Sequence, residues 1–390
     1  MRTPLAWKNL TVSFNKFLLA AAGVGFAVVL MFMQIGFRNA LIDSNVQVFR
    51  LFSSQHTDLI MLSRARYNIS TEQRFPRYLL QAAAGIEGVQ QVSSLAMERG
   101  TAQVQVVGHA PRPIRVLGME LSNPFFASKA LHDQLSYADR HNAALLDSRS
   151  KPVFGFAGDL PGLADQEIEL SGIQLPIVGY FELGTDFAND GTLLVSERLL
   201  AKYFPWRSPS GHPNDQVDIG LLHIEGSQDP QTLCRQIESL APDQIDVRPM
   251  TEFIQREKDF WSASTPIGKI FFIGTLMGLV VGAIICYQIQ FTDLSEHMPE
   301  FATLKAMGYG QAYFWSFIVC QSFYLACMGF LPGWLIAFGL YNLLGQFSGL
   351  IMEMTFWRVV LVWMLTMGMC LTSGILAIRR LFSTDPASLF

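Results

Sequence analysis

Charged side chains are scarce in this sequence. Asp, Glu, Lys and Arg together make up 15% of its 390 residues, half of the residues are hydrophobic, and the formal net charge is −4. No basic stripe occurs, which argues against a nucleic-acid partner. This length and composition indicate an integral membrane protein with room for one sizeable soluble domain.

Cysteine is also sparse and poorly placed for structural or metal chemistry. Of five cysteines, Cys286, Cys320, Cys327 and Cys370 lie in apolar runs, and only Cys234 lies in the large polar region. A lone cysteine there cannot form an intrachain disulfide, and no Cys/His spacing is typical of zinc. We therefore expect no metal site.

Nucleotide-binding and catalytic motifs are missing as well. Gly268-Lys269 is followed by Ile270, where a phosphate-binding loop needs Ser or Thr. Ser148 and Lys151 fit a Ser-x-x-Lys pattern without its companion motifs, which we interpret as coincidence. The sequence thus predicts no catalytic residue, no cofactor bound by this chain and no ATP hydrolysis by this chain alone.

Four apolar runs are long enough to cross a bilayer, which takes roughly 20 helical residues. Basic residues precede the first run and Arg379-Arg380 follow the last, so the positive-inside rule places both termini in the cytoplasm. The predicted segments are a cytoplasmic amphipathic helix (1–16), the first span (17–37), an extracytoplasmic domain (38–265), the second span (266–290), a cytoplasmic hairpin (291–310), the third span (311–344), an outer loop (345–355), the fourth span (356–378) and a cytoplasmic tail (379–390).

Segments typical of strands and helices are mixed within 38–265, which predicts an α+β domain. Asp229-Pro230 fits the start of a helix. The two ends of the domain are interpreted as helical extensions of the flanking spans that form a stalk, or else as interfacial loops. Predicted strands are 56–63, 101–107, 114–119, 166–170, 174–181, 192–195 and 217–224, and predicted helices are 76–84, 197–203, 230–240 and 251–260.

Small residues mark the second and third spans. Gly274, Gly278 and Gly282 recur at four-residue spacing, which favours close packing of two spanning helices. The alternative is incidental spacing, since glycine is common in membrane helices. Pro332 lies within the third run, where its missing N–H group predicts a kink or a break.

The hairpin between the second and third spans reads FTDLSEHMPEFATLKAMGYG (291–310). Its apolar residues recur at helical spacing, which predicts a short amphipathic helix that ends at Gly308. These residues are Leu294, Met298, Phe301, Leu304 and Met307. The alternative is a polar hairpin that only joins two spans.

The segment EFATLKAMG (300–308) resembles the E-I-x-x-L-(K/R)-A-(L/M)-G segment of FtsX/MacB-type ABC transporter permeases. In that family this segment is the cytoplasmic coupling helix that docks on the ATPase subunit. Pro299 departs from the family pattern, which commonly has a basic residue there. The resemblance assigns ATPase coupling to Glu296, Glu300, Phe301, Leu304, Lys305, Met307 and Gly308.

The resemblance covers the whole chain and implies a MacB/FtsX-like fold. That fold has four transmembrane α-helices and a large α+β extracytoplasmic domain between helices 1 and 2. The domain is expected to have a porter-like core and a second lobe at about residues 120–214. The implied partners are an ABC ATPase that binds ATP and Mg²⁺, a second copy of the chain, a membrane-fusion adaptor, a TolC-like outer-membrane protein and the lipid bilayer.

Two shorter segments narrow the resemblance. Together with the coupling segment, KDFW (258–261) and RR-x-x-x-x-DPAS (379–388) resemble DevC-type permeases of the cyanobacterial heterocyst glycolipid exporter. This implies a non-catalytic subunit in a cyanobacterial plasma membrane, with a glycolipid or another amphiphile as cargo. Within the same fold, the alternatives are an FtsX-like relay that controls a cell-wall hydrolase and a lipoprotein-releasing permease.

Overall fold

The structure is a computed structural model that describes residues 14–121, 125–186, 188–208, 211–226 and 228–382. The chain forms two compact units. Within the described residues, the helical unit comprises 14–39, 265–343 and 352–382. The α/β unit comprises 40–264 and 344–351, again within the described residues.

The helices and strands are numbered in chain order. The helices are α1 (Phe14–Ser44), α2 (Arg77–Ala84), α3 (Lys129–Arg140), α4 (Leu160–Ala164), α5 (Glu197–Tyr203), α6 (Pro230–Glu238), α7 (Met250–Asp259), α8 (Pro266–Glu296), α9 (Met298–Ala306), α10 (Gln311–Ser348) and α11 (Phe356–Phe382). The strands are β1 (Leu59–Ser63), β2 (Phe75–Pro76), β3 (Val89–Glu98), β4 (Gln103–Val106), β5 (Arg112–Pro113), β6 (Arg115–Met119), β7 (Ala144–Asp147), β8 (Ile168–Leu170), β9 (Ile173–Gln174), β10 (Ile177–Phe181), β11 (Thr192–Ser196), β12 (Gln216–Val217), β13 (Ile219–Ile224) and β14 (Ile245–Pro249).

Among the residues that the structure describes, four helices are long and apolar enough to cross a membrane: α1, α8, α10 and α11. The mixed segment of strands and shorter helices lies between the first and second of them. The chain is thus a multi-pass membrane protein, and the predicted fold class is confirmed.

These helices extend past the predicted spans. α1 continues to Ser44, α8 to Glu296 and α10 to Ser348. Backbone hydrogen bonds continue a helix wherever the chain allows them, whereas hydropathy marks only the part suited to lipid. Of the predicted N-terminal amphipathic helix, residues 14–16 belong to α1 and residues 1–13 lie outside the described residues, as do residues 383–390 of the tail.

The α/β unit is built on an eight-stranded sheet with the order β10-β7-β11-β6-β3-β13-β1-β14. Two neighbouring pairs, β10–β7 and β11–β6, are parallel. The segment predicted as a second lobe, about 120–214, supplies β7, β10 and β11 to this same sheet. It also supplies β8 and β9 to a four-stranded sheet with the order β5-β4-β8-β9.

The large sheet is covered by apolar side chains on both faces. In β1, Ile60 and Leu62 pack in one core cluster, while Leu59 and Met61 pack in another. Successive strand residues point to opposite faces, so β1 contributes to both clusters. Burial on both faces explains why this strand is a continuous apolar run rather than an alternating one.

The last part of the α/β unit leads towards α8 without forming one continuous helix. Lys258, in α7, pairs with Asp43, in the last turn of α1, at 2.8 Å. Thr265 is extended, with φ −100° and ψ 154°, and Pro266 is the first residue of α8. A proline disfavours helical geometry in the residue before it. The helical extension predicted before the second span is therefore interrupted at Thr265.

Candidate functional site

The hairpin predicted to couple to an ATPase folds as a short helix between two spanning helices. α8 ends at Glu296, α9 runs from Met298 to Ala306, and α10 begins at Gln311. Pro299 occupies the second position of α9. The N–H groups of a first helical turn have no partner within the helix, so proline is tolerated there. The absence of the basic residue common in the family therefore leaves the helix intact.

A glycine ends this short helix. Gly308 has a φ of +93°, in the left-handed region that favours glycine. The Tyr309 N–H group donates to the carbonyl oxygen of Leu304 at 3.2 Å, and the Met307 N–H group donates to Thr303 at 3.0 Å. A left-handed glycine with such a backbone bond is a common helix C-terminal cap. Gly308 thus has a structural role that needs no partner protein.

The inner side of the hairpin is an apolar cluster. Leu294, Met298 and Leu304 pack there, so these members of the predicted stripe face inward. The cluster's other members are Tyr313, Phe314, Phe317, Ile318, Tyr324 and Ile378. Met307, the last residue of the predicted stripe, is 63% exposed. The amphipathic pattern therefore ends before Met307, because the chain leaves α9 at Ala306.

The outer side of the hairpin presents most of the residues assigned to coupling. Glu300, Met307 and Gly308 are exposed, as is Glu296 at the end of α8. Methionine is enriched in protein–protein interfaces, so the exposed Met307 suits a docking surface. Phe301 and Lys305 lie on the backbone of α9, and their side chains are outside the described part of the chain.

A hydrogen bond at the base of the hairpin joins α8 to α10. The side-chain amide nitrogen of Gln321 donates to Oδ2 of Asp293 at 2.5 Å. His297 donates from Nδ1 to the carbonyl oxygen of Asp293 at 2.8 Å and so stabilises the turn between α8 and α9. Asp293 therefore holds both the turn before α9 and the first part of α10.

Buried polar groups join α8, α10 and α11 further along these helices. The Gln290 amide nitrogen donates to the carbonyl oxygen of Cys370 at 3.1 Å, and the Ser322 hydroxyl donates to the same oxygen at 3.2 Å. Gln290 is 4% exposed and Ser322 is fully buried. Paired polar side chains are a common contact between membrane helices. The sequence analysis did not single out either residue, although a glutamine in an apolar run indicates that its amide group has a hydrogen-bond partner.

The three glycines that recur at four-residue spacing in α8 have different surroundings. A Cβ atom on Gly282 would lie 2.7 Å from the Cβ of Ala27, in α1, and closer still to Met369, in α11. A Cβ on Gly274 would lie 2.5 Å from Oε1 of Gln34. A Cβ on Gly278 would meet nothing nearer than 3.6 Å. Close packing thus requires glycine at 282, whereas 278 has room for a methyl group.

Helix α10 is continuous through Pro332, so the predicted alternative of a break is wrong, and a kink stays a prediction. Gly329 and Gly333 flank the proline and approach α1. A Cβ on Gly333 would lie 2.8 Å from the carbonyl oxygen of Gly25, and one on Gly329 would lie 2.5 Å from Cγ1 of Val24. Neighbouring packing supports a helix at a position where one internal hydrogen bond is lost.

The α/β unit has an open cleft of about 330 Å³. Its lining includes Ser70, Glu72, Arg99 and Asn189. Glu72 accepts hydrogen bonds from the N–H groups of Arg99 and Gly100, and the Arg99 side chain donates to the carbonyl oxygen of Ser70. Burial lowers the pKa of Arg99. These polar groups bond mainly to one another, which indicates a structural role.

No group of three or more His, Cys, Asp or Glu side chains is placed to hold a metal ion, as far as the described residues extend.

Part of this architecture has a counterpart among known proteins. Residues 271–386 match the family model described as FtsX-like permease C-terminal. This region is FtsX-like. The FtsX-like region covers less than half of the chain and contains most of α8, all of α9 and α10, and the described part of α11. The hairpin, the hydrogen bond between Gln321 and Asp293, and the buried polar contacts of Gln290 and Ser322 all lie within this region.

Two solved structures are weakly similar to the chain. The periplasmic region of MacB from Actinobacillus actinomycetemcomitans is 11% identical over 53% of this chain and 94% of that one, with a TM-score of 0.35. The extracellular domain of YknZ, a noncanonic ABC-type transporter from Gram-positive bacteria, is 11% identical over 49% of this chain and 98% of that one, with a TM-score of 0.32. At these values the likeness says nothing about ligands or partners. None of the curated proteins matches the chain.

Proposed function

We propose that this chain is the permease subunit of a bacterial ABC exporter of the FtsX/MacB type, with both termini in the cytoplasm. The observation that carries the proposal is the hairpin within the FtsX-like region. The hairpin packs inward through Leu294 at the end of α8 and through Met298 and Leu304 in α9, and it leaves Glu300 and Met307 exposed. A short helix that is packed on its inner side and exposed on its outer side is suited to be displaced by a protein that docks on it.

ATP hydrolysis is assigned to a separate ABC ATPase, which would bind ATP and Mg²⁺. The sequence of this chain lacks a phosphate-binding loop, because Ile270 follows Gly268-Lys269. ABC ATPases work as pairs, so the complex would contain a second copy of this chain. The chain itself would be non-catalytic and would transmit the conformational change of the ATPase pair.

The α/β unit is assigned to the outer side of the membrane, where it would dock a membrane-fusion adaptor that leads to a TolC-like duct. A glycolipid or another amphiphile is the proposed cargo, and a cyanobacterial plasma membrane the proposed location. These assignments rest on the resemblance of the KDFW and RR-x-x-x-x-DPAS segments to DevC-type permeases. Lys258 of the first segment forms an ion pair with Asp43. Residues 383–388 of the second lie outside the described residues.

Purification of the full chain from its native membrane in mild detergent tests the assignment of partners. We expect mass spectrometry to find an ABC ATPase in a near-equal amount, together with an adaptor. A cell-wall hydrolase in place of the adaptor would favour the alternative of a signalling relay. A lipoprotein bound to the complex would favour the lipoprotein-releasing alternative, and absence of any ATPase would overturn the proposal.

A charge reversal on the hairpin tests the coupling role. Lys305→Glu is expected to lower ATPase activity of the purified complex roughly tenfold while leaving the chain folded, a loss that corresponds to about 1.4 kcal/mol. Lys269→Glu, an exposed charge reversal near the other end of α8, is the matched control and should leave the activity unchanged. Equal activities of both variants would remove Lys305 from coupling.

Labelling of a Met307→Cys variant tests the orientation. A membrane-impermeant maleimide should react in inside-out vesicles and not in intact cells stripped of their outer barrier. The reverse pattern would place the hairpin outside and overturn the proposed function.

A further inference from the structure

The outer loop that follows α10 is part of the α/β unit, although it is distant in sequence from the rest of that unit. Residues 344–351 group with 40–264. The last carbonyl groups of a helix have no partner within the helix and must find one elsewhere. The hydroxyl of Thr185 donates to the carbonyl oxygen of Ser348 at 2.8 Å, and the N–H group of Thr185 donates to Gly349 at 3.2 Å. One residue of the α/β unit thus caps the C-terminal end of α10.

Where Thr185 caps α10, the loop that follows the helix can hold only glycine. Gly349 has a φ of +72°. A Cβ atom there would lie 2.5 Å from the carbonyl oxygen of Arg149 and 2.6 Å from Cγ2 of Thr185. Gly184, next to Thr185, has a φ of +102°, and a Cβ on it would lie 3.1 Å from the carbonyl oxygen of Gly349. Two backbone segments therefore meet here at a distance that side chains would prevent.

The capping residue is itself held rigidly. Gln47, 3% exposed, donates from its side-chain amide to the carbonyl oxygens of Gly184 at 2.7 Å and Thr185 at 3.1 Å. Asp147, at the end of β7, accepts from the N–H groups of Leu183 at 3.0 Å and Gly184 at 2.8 Å. The segment 183–185 is therefore fixed to the large sheet and to the stretch that follows α1. These buried hydrogen bonds are more than an ordinary surface loop would require.

We propose that Thr185 is a coupling residue: it fastens the outer end of α10 to the α/β unit, so that displacement of α10 is transmitted to the strands beside it. This deepens and rests on the proposed function. The same helix carries Gln321, which bonds Asp293 at the base of the coupling hairpin, and α10 is continuous between Gln321 and Ser348. A rigid element with a fixed contact near each end is a physical route for coupling.

Hydrogen exchange of the full chain in detergent, without any partner, tests the cap. Thr185→Val removes the hydroxyl and keeps the shape of the side chain. We expect roughly three- to tenfold faster amide exchange in 345–351, since a buried hydrogen bond contributes about 1 kcal/mol. Thr185→Ser keeps the hydroxyl and should restore slow exchange. Unchanged exchange in Thr185→Val would overturn the inference whatever the fate of the proposed function.

Thr57→Val is the matched control. Thr57 is also buried in the α/β unit, 3% exposed, and its hydroxyl has no hydrogen-bond partner among the residues that the structure describes. The substitution is therefore expected to leave exchange in 345–351 at the wild-type rate. Equal acceleration by Thr57→Val and Thr185→Val would show a general loosening and would also overturn the inference.

A second measurement tests transmission on the complex with the ABC ATPase that co-purifies. We expect ATP to change amide exchange in 182–196 of the wild type. Thr185→Val should reduce this response at least about twofold while the ATPase remains bound, and Thr185→Ser should retain it. If Thr185→Val kept the full response to ATP, Thr185 would be only a structural cap of α10, and the coupling role would be overturned. A wild type that binds no ATPase would overturn the proposed function and, with it, the coupling role, while the cap would still be decided by the first measurement.

Discussion

Gln321 and Asp293 lie on different spanning helices, and the 2.5 Å hydrogen bond between their side chains joins the first part of α10 to the end of α8. Asp293 also accepts from His297 through its backbone, at the turn that leads into α9. A displacement of α9 would therefore act on α10 through a polar contact as well as through the apolar cluster. Hydrogen bonds to a charged partner are stronger than those between neutral groups.

Removal of this hydrogen bond should weaken coupling without unfolding the chain. We expect Gln321→Leu to accelerate amide exchange in 291–300 roughly fivefold and to lower the ATPase activity of the complex, because Asp293 loses a donor. Gln288→Leu, which replaces an exposed glutamine on α8, is the control. Identical exchange in 291–300 for both variants would show that the contact does not stabilise the hairpin.

The contrast between two glycines of α8 gives a prediction about packing. Gly282→Ala places a methyl group too close to Ala27 and Met369, whereas Gly278→Ala places it in ordinary van der Waals contact with Leu30 and Met31. Overpacking typically costs about 1–3 kcal/mol. We therefore expect Gly282→Ala to lower the thermal midpoint of the full chain in detergent and Gly278→Ala to leave it within error. Equal midpoints for the two variants would contradict the packing of α8 against α1 and α11.

The membrane helices and most strands could be predicted from the sequence because their signals are local. The predicted helix after Asp229 is confirmed, and the Asp229 side chain accepts from the Thr232 N–H group at 3.0 Å. Strand β3 was missed, although it lies in the middle of the sheet. It contains Ser94, which bonds Glu197 at 2.9 Å, and Glu98, which pairs with Arg74 at 3.0 Å. Glu197 and Arg74 are distant from this strand in the sequence, so no local pattern reveals these two contacts.

The candidate site also has some features that local sequence patterns predict and others that they do not. The helical spacing of Leu294, Met298 and Leu304 predicts an inward face, because periodicity is a property of consecutive residues. Helix α3 had a local signal that was overlooked, since Ser128 caps it through the Leu131 N–H group at 3.2 Å. The contact between Thr185 and Ser348, by contrast, joins residues whose proximity follows only from the folded chain.

Two buried thiols give a direct test of helix pairing. Sγ of Cys286, in α8, lies 3.7 Å from Sγ of Cys370, in α11. Mild treatment with diamide should oxidise the pair to a disulfide: two thiols lose two protons and two electrons, and the diazene is reduced to a hydrazine. Mass spectrometry of a digest should then show a linked peptide that Cys286→Ser abolishes. Linkage of either thiol to Cys234 instead would contradict the pairing of α8 with α11.

The carboxyl group of Glu257 gives a prediction about pH dependence. Glu257, in α7, is 1% exposed, and burial raises its pKa from the ordinary 4.5, although the N–H group of Ile69 donates to it at 3.2 Å. The folded state therefore binds this proton more tightly than the unfolded state. The stability that Glu257 contributes is present below about pH 4.5 and is lost as the pH rises through the folded pKa.

A neutral substitution should remove this dependence. Glu257→Gln does not titrate, so the free energy of unfolding of the variant minus that of the wild type should become more positive between pH 4.5 and pH 8. Comparing this difference across pH cancels any constant cost of the new amide group. Thr57→Val, which changes no titratable group, should show a difference that is constant with pH. A difference for Glu257→Gln that is equally flat, measured by thermal unfolding of the full chain in detergent, would show that the folded state does not hold this proton.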